Sequence, residues 1–431
     1  LDQHLPVGSL HVRKWRLQGK WLRQAWRFRR HARVLQGKKC RHRLFRRHAG
    51  SLCHSTALTV RNTGADHPRE IEMKFAVSLG MERFSPETSM TAVMDNLLQL
   101  AKIADAGGFE TIWTPEHHTI ECTISPNPFQ ILTWLSQHTS RIRLGTATLA
   151  AAYWNPIRLA GEAALCDHLT NGRLEFGIAR GAYQYEFDRM APGVQQQEGV
   201  GYMKELVPAV QKLWAGDYAH EGQYWNFPRA TSVPKPLQKG GPRIWVAARD
   251  PGTFDWALGI GANILSTPLS LPAAEIGVLA SKFNKAVADH PEVKRPKFMM
   301  QRRTCVYDKV DDWHLAVEHS MNYGRYFENL MQNIGTVKNG FPEAVPFESV
   351  KGRDNYNPEN IRKNLMFGTP DEVIEKLLDY EAAGVDQYCL GLSFNLPFEL
   401  QKKTLRLFTD EVMPFFAQRE RETQQLAAAG Y

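Results

Sequence analysis

From residue 73 onward, short apolar or β-branched runs alternate with longer stretches whose apolar residues recur at helical spacing. The first run, M-K-F-A-V-S-L-G (73–80), predicts a strand. A turn at Ser85-Pro86-Glu87-Thr88 then opens a helix carrying Met94, Leu97, Leu98, Ala101, Ile103 and Ala104 on one face, and Gly107-Gly108 stops it. Further strands are predicted at 110–114, 141–149, 173–179, 243–248, 262–266, 298–307 and 384–390. Helices are predicted at 129–138, 156–169, 196–214, 251–258, 272–288, 370–383 and 399–416. One segment breaks the rhythm: 308–366 delays the last unit and reads as extra helices plus a loop, 335–357, rich in Gly, Pro and charge.

Alternation of strand and helix dictates a parallel sheet, and eight such units point to an α/β fold of the closed (β/α)8 TIM barrel type with insertions. An open doubly wound sheet is the structural alternative. It calls for a glycine fingerprint after the first strand, and Gly80-Met81-Glu82-Arg83 is not one.

Charge divides the 431-residue chain unevenly. Residues 1–72 hold 17 Lys and Arg against 4 Asp and Glu, whereas the remaining 359 hold 36 against 41. The mildly acidic body offers no electrostatic case for nucleic acid. The basic stretch, with Trp15, Trp21, Trp26 and Phe28 among its arginines, has three readings. It is upstream-translated sequence or a removable leader with no part in the fold, a targeting peptide, or an arm for nucleic acid or a membrane surface. The first is the expectation, because all twelve methionines lie at or after 73; such an extension is expected to be disordered. The domain reading is therefore 1–72 as extension, 73–420 as barrel with 308–366 as a possible lid, and 421–431 as a C-terminal tail. No run approaches the ~20 apolar residues of a membrane span. Six scattered cysteines without a C-x-x-C pair read as reduced thiols of a cytoplasmic protein.

In a parallel barrel, chemistry sits at the carboxyl ends of the strands. The second strand delivers Glu116, His117 and His118, the third Thr146, Ala147 and Thr148, and the fourth Ala179, Arg180, Gly181 and Tyr183. The fifth delivers Arg249, Asp250, Gly252 and Thr253. An arginine at a strand end facing a loop that opens a helix can hold a phosphate between its guanidinium fork and the helix amides. The alternative is that Arg180 simply pairs with Glu186 or Asp188. The two histidines can be a general acid/base, metal ligands or surface residues. Because neighbours on an extended segment point opposite ways, both reaching one site is not expected. H-E-x-x-H is absent and few other ligand types stand at strand ends, so no metal is expected. Tyr153, Trp154, Tyr183, Tyr185, Met190 and Phe394 are candidates for an apolar substrate pocket, with core packing as the competing reading.

The sequence resembles the bacterial luciferase-like monooxygenases from about 73 to 416. The resemblance is carried by E-H-H (116–118), R-L-G-T-A-T-L (143–149), the long block N-P-I-R-L-A-G-E-A-A-L-C-D-H-L-T-N-G-R-L-E-F-G-I-A-R-G (155–181), W-V-A-A-R-D-P-G-T-F-D-W-A (245–257) and G-T-P-D-E-V-I-E-K-L (368–377). The resemblance implies a flavin-dependent monooxygenase using reduced FMN, supplied by a partner flavin reductase, and molecular oxygen. It would oxygenate a small organic substrate through a peroxyflavin. It further implies His117 as the catalytic base. FMN would lie against Glu116, Thr146, Ala147, Thr148, Ala179, Arg180, Tyr183, Arg249, Asp250, Gly252 and Thr253, its phosphate near Arg180 and the 249–253 loop. Ala179 stands where luciferase has cysteine, and Arg249-Asp250 where it has an acid and a serine. The resemblance also implies a non-proline cis peptide near Ala147 and assembly as a homodimer or larger homo-oligomer. Its alternatives are a deazaflavin-dependent oxidoreductase on the same barrel and a non-catalytic flavin-binding relative.

Overall fold

The computed structural model describes residues 73–428, so the readings of the basic extension 1–72 lie outside the described residues. The eight barrel units follow in order. They are β1 (Lys74–Ser78), α1 (Met90–Gly107), β2 (Thr111–Thr114), α2 (Pro128–Ser136), β3 (Arg143–Thr146), α3 (Pro156–Leu169), β4 (Leu174–Ala179) and α4 (Gly199–Ala215). Then come β5 (Arg243–Ala247), α5 (Pro251–Gly259), β6 (Asn263–Ser266), α6 (Ala274–Asp289), β7 (Phe298–Val306), α7 (Pro370–Ala382), β8 (Gln387–Gly391) and α8 (Phe398–Leu407). Every strand is parallel to its neighbours, and β8 pairs with β1 with Lys74 against Gln387 and Ser78 against Gly391. The sheet therefore closes on itself and leaves no edge. The expected TIM barrel is the fold.

The helices start where the sequence places a cap followed by proline. Asn127-Pro128, Asn155-Pro156, Asp250-Pro251 and Thr369-Pro370 open α2, α3, α5 and α7. In each, the side chain of the first residue accepts a backbone N–H of the first turn, and proline at the first helical position gives up a donor that would have had no partner. Thr369 and Glu372 complete a reciprocal capping box. The first helix begins at Met90 behind Ser89, slightly later than the Ser85–Thr88 turn suggests.

Inside the barrel, Ala76, Trp113, Trp245, Leu265, Met299 and Cys389 form a packed plug. The two indoles meet edge to face at 5.2 Å. Trp113 donates to Gln387 at 3.1 Å and Trp245 to Glu175 at 2.7 Å, so neither buried N–H is stranded. Gly145 makes this possible, since a Cβ there would meet the Trp113 ring at 2.3 Å. Glu175, wholly buried, is neutralised by Arg143 and Arg243 from the flanking strands.

Two departures from the sequence reading concern the site. The third strand is not continuous: the cis peptide expected near Ala147 lies between Ala147 and Thr148 and separates β3 from the short strand Leu149–Ala150. A helix absent from the periodicity, Gln184–Met190, follows β4. The 308–366 insertion carries extra helices at Trp313–Gln332 and Pro358–Asn364, and the 335–357 stretch between them holds one short helix, Phe347–Val350. The closing helix, with a wider turn at 408–412, continues to Ala428, so most of the 421–431 tail is helical. Among the described residues no helix is long and apolar enough to cross a membrane.

Candidate active site

Two-residue alternation along the strands stacks a second interior layer above the indole plug, toward the carboxyl ends. On five strands its members are Ser78 on β1, Ala147 after β3, Ala179 on β4, Ala247 on β5 and Gly391 on β8, all small, while β7 brings the longer Gln301 and Arg303 to the same mouth. A barrel interior is normally filled by bulky side chains, so the small residues leave a recess on their side of the mouth, where Ala147, Ala179 and Ala247 remain partly exposed.

Over the recess stands the 115–125 loop. Its anchor is Glu116, buried, whose carboxylate accepts Ala150 N–H at 2.8 Å, Trp154 Nε1–H at 2.9 Å and His118 Nε2 at 2.9 Å. With its oxygens so committed, Glu116 fastens the loop to the 149–154 segment instead of presenting a free carboxylate. Alternation then sends the next two residues to opposite partners, as expected. His118 turns back to Glu116, while His117 places Nδ1 at 3.2 Å from both oxygens of Glu186. Glu186 also accepts the His118 backbone N–H at 2.6 Å. The His117 ring stacks on Tyr183 at 5.3 Å, and its Nε2 has no hydrogen-bond partner among the described residues.

Sequence reasoning had Glu186 only as a partner for Arg180, and the structure corrects that pairing. Glu186 is spent on the histidine loop and Asp188 receives the Gln184 side chain at 2.8 Å. Arg180 is exposed and has no ion pair among the described residues. Ile178 on β4 pairs with Val246 on β5, so Arg180 and the 249–253 turn emerge side by side. In that turn Asp250 caps α5, accepting Thr253 N–H at 2.9 Å and its hydroxyl at 2.7 Å. These bonds outweigh the opposing effect of burial and hold Asp250 below the usual carboxylate range. Arg249 leans toward Glu275, 3.5 Å away. At Gly252 a Cβ would meet nothing closer than Asp250 Oδ1 at 3.5 Å, which leaves the helix N-terminus open to a ligand.

The third-strand candidates divide. Thr146 is fully buried, its hydroxyl donating to Gly177 O at 2.7 Å and accepting Gly177 N–H at 2.8 Å. It stitches β3 to β4 across the break. Gly177 is obligatory there, because a Cβ would lie 1.9 Å from Thr146 O. Ala147 and Thr148 remain half-exposed at the recess. Of the apolar-pocket candidates, Tyr183 lines the site, Trp154 serves Glu116, Phe394 is core packed on Phe367, and Met190 faces outward. Among the described residues no group of His, Cys, Asp and Glu is arranged to hold a metal.

Comparisons with known proteins show the family. The luciferase-like monooxygenase family model matches residues 73–387. The chain belongs to that family. It is 40% identical over 346 residues to the oxygenase component of the flavin-dependent trigonelline monooxygenase of Acinetobacter baylyi, covering 80% of this chain and 96% of that one. Monooxygenase RslO1 from Streptomyces bottropensis superposes with a TM-score of 0.67 at 26% identity, over 80% of this chain and 100% of the other. The oxygenating constituent of 3,6-diketocamphane monooxygenase from Pseudomonas putida, solved with FMN, shares the fold with a TM-score of 0.64 at 18% identity, over 79% of this chain and 98% of that one. This luciferase-like protein is a flavin-dependent monooxygenase, the oxygenase component of a two-component system. The recess and the unpaired Arg180 fit its flavin: small side chains admit the ring, and a free guanidinium beside an open helix N-terminus suits a phosphate.

Proposed function

We propose that FMN is held with its phosphate on Arg180 and the α5 N-terminus at Gly252, and its ring over Ala147, Thr148, Ala179 and Ala247. When bound, the reduced flavin reacts with molecular oxygen and supplies the oxygen atom delivered to the substrate. The protein's own part is positioning and proton handling. His117 is the catalytic residue. The Glu186 carboxylate fixes Nδ1 as the N–H donor, which leaves Nε2 as the atom that takes or returns a proton at the mouth. That oriented imidazole with one free nitrogen is the observation carrying the reading, since a protein that merely stores flavin has no use for it.

Glu116, Thr146, Asp250 and Thr253 act one layer back. Glu116 fixes the histidine loop, Thr146 the strand break, and the Asp250–Thr253 pair the start of α5. The 308–366 insertion serves as the lid, its Gly340 carbonyl accepting Glu121 N–H at 2.7 Å from the histidine loop. Such a cover excludes water from the recess. Reduced FMN comes from a separate reductase, and the chain assembles as a homodimer or larger. A cytoplasmic setting suits its buried unpaired cysteines, 122, 166, 305 and 389.

The test is turnover with a flavin reductase, FMN and oxygen-18 gas, using trigonelline as the first substrate. The expected product carries one labelled atom per turnover. Oxygen-independent hydride transfer to or from a deazaflavin, with no label incorporated, would replace this reading.

A further inference from the structure

At the same mouth the described residues hold an arginine and a carboxyl that the flavin chemistry does not use. Arg303 follows Met299 and Gln301 on the inward face of β7, while Arg302 points away and donates to the carbonyls of Asn364 and Leu271. Arg303 Nη1 donates to Ser320 Oγ at 3.0 Å, and the guanidinium lies 4.7 Å over the Tyr323 ring. Tyr323 packs on Phe327 at 4.2 Å, Phe327 on Tyr183 at 5.5 Å, and Tyr183 on His117 at 5.3 Å. A continuous aromatic wall thus runs from a cation to the catalytic imidazole.

Glu82, from the loop after β1, is a carboxyl within electrostatic reach of Arg303. It accepts Asn395 N–H at 3.2 Å through one oxygen, and its other oxygen is buried with no partner among the described residues. Burial pushes this carboxyl up to about 8, against the lowering effects of the Asn395 amide and Arg303. At neutral pH it is therefore mostly protonated and leaves the Arg303 charge for a ligand. The neighbouring cation Arg83 is already engaged, 3.1 Å from Glu121.

Resting on the monooxygenase reading above, we infer that Arg303 is the specificity-determining anchor for a small aromatic carboxylate, seated with its acid group on the guanidinium and its ring along Tyr323, Phe327 and Tyr183. A planar fork matches a carboxylate bidentately, and stacking on Tyr323 holds that fork in one plane. The far edge of a single-ring acid then points toward His117. A ligand without the acid group would leave the half-buried guanidinium with Ser320 alone, to whose hydroxyl and carbonyl Nη1 already donates at 3.0 and 3.4 Å.

The experiment is calorimetric titration of the flavin-free full chain with matched acid and amide probes: trigonelline against 1-methylnicotinamide, and nicotinate against nicotinamide. The acids should bind at least about tenfold more tightly than their amides. Arg303→Gln should weaken acid binding by about 10- to 100-fold, the scale of a charge-assisted contact, while leaving the amides unchanged. Arg303→Lys, which keeps the charge without the fork, should fall between. Equal binding of acid and amide by the native protein, no binding of either, or an undiminished acid preference in Arg303→Gln would overturn the anchor. Failure of the flavin reading would show separately, as absence of FMN binding in a parallel titration.

Discussion

His117 Nδ1 lies 3.2 Å from both carboxylate oxygens of Glu186, although the two residues are 69 positions apart. The second oxygen contact leaves the imidazole little freedom to rotate, and the Tyr183 ring closes one of its faces. Glu186 also grips the next backbone amide, so one carboxylate sets both the ring and the loop that carries it. Whatever proton His117 handles must pass through Nε2.

Replacing His117 with Ala should leave the fold and FMN affinity intact and lower turnover by about 10²–10⁴, the usual contribution of a positioned acid–base group. Rates measured with saturating reduced FMN decide it. A variant turning over at the native rate removes His117 from the chemistry.

Glu186→Gln is the subtler change. The amide keeps the shape but no longer fixes the imidazole tautomer. Turnover at saturating reduced FMN should drop by about 10- to 1000-fold with FMN affinity unchanged. A purely structural carboxylate would lower stability and leave the turnover of the folded protein in place.

For Arg180→Ala, FMN affinity should weaken by ~1.5–3 kcal/mol with little change in thermal stability, because Arg180 is exposed and unpaired among the described residues. Fluorescence titration reads this directly. An unchanged dissociation constant places the phosphate elsewhere.

Asp250→Ala separates a helix cap from a cofactor ligand. Losing its bonds to Thr253 should cost about 1 kcal/mol of stability, a typical N-cap value, and should weaken FMN only through the misplaced α5 terminus. A large affinity loss with unaltered melting temperature would make Asp250 a direct ligand instead.

Glu82 gives a pH prediction. Its folded-state value is raised to about 8 from an ordinary 4.5, so between those values the folded chain holds a proton that the unfolded chain has released. Stability should therefore be greatest on the acid side of this window and decline as pH climbs toward 8. Glu82→Gln should flatten the decline, measured as melting temperature against pH. Parallel curves for the two proteins would mean that Glu82 is ionised throughout.

Much of the architecture was legible because it rests on local rules. Eight apolar runs, and cap–proline pairs at 127–128, 155–156, 250–251 and 369–370, place strands and helices without reference to distant residues. Helix Gln184–Met190 escaped because seven residues give less than two full periods, and Glu186 with it. The alternation of R-L-G-T-A-T-L reads as one unbroken strand, and only the family resemblance pointed to the cis peptide found at Ala147–Thr148.

The sequence by itself determined the barrel and the strand ends that gather at its mouth, since strand polarity and side-chain alternation are properties of neighbours along the chain; the choice of His117 over His118 came from the family resemblance. Only the tertiary structure decided the division of labour. It made Glu116 and Asp250 fasteners, took Glu186 from Arg180 and gave it to His117, and brought Arg303 within reach of the same mouth. Those assignments depend on which atoms meet across a closed sheet, where a carboxylate taken by one partner is lost to another. Spacing along one chain carries no record of that competition.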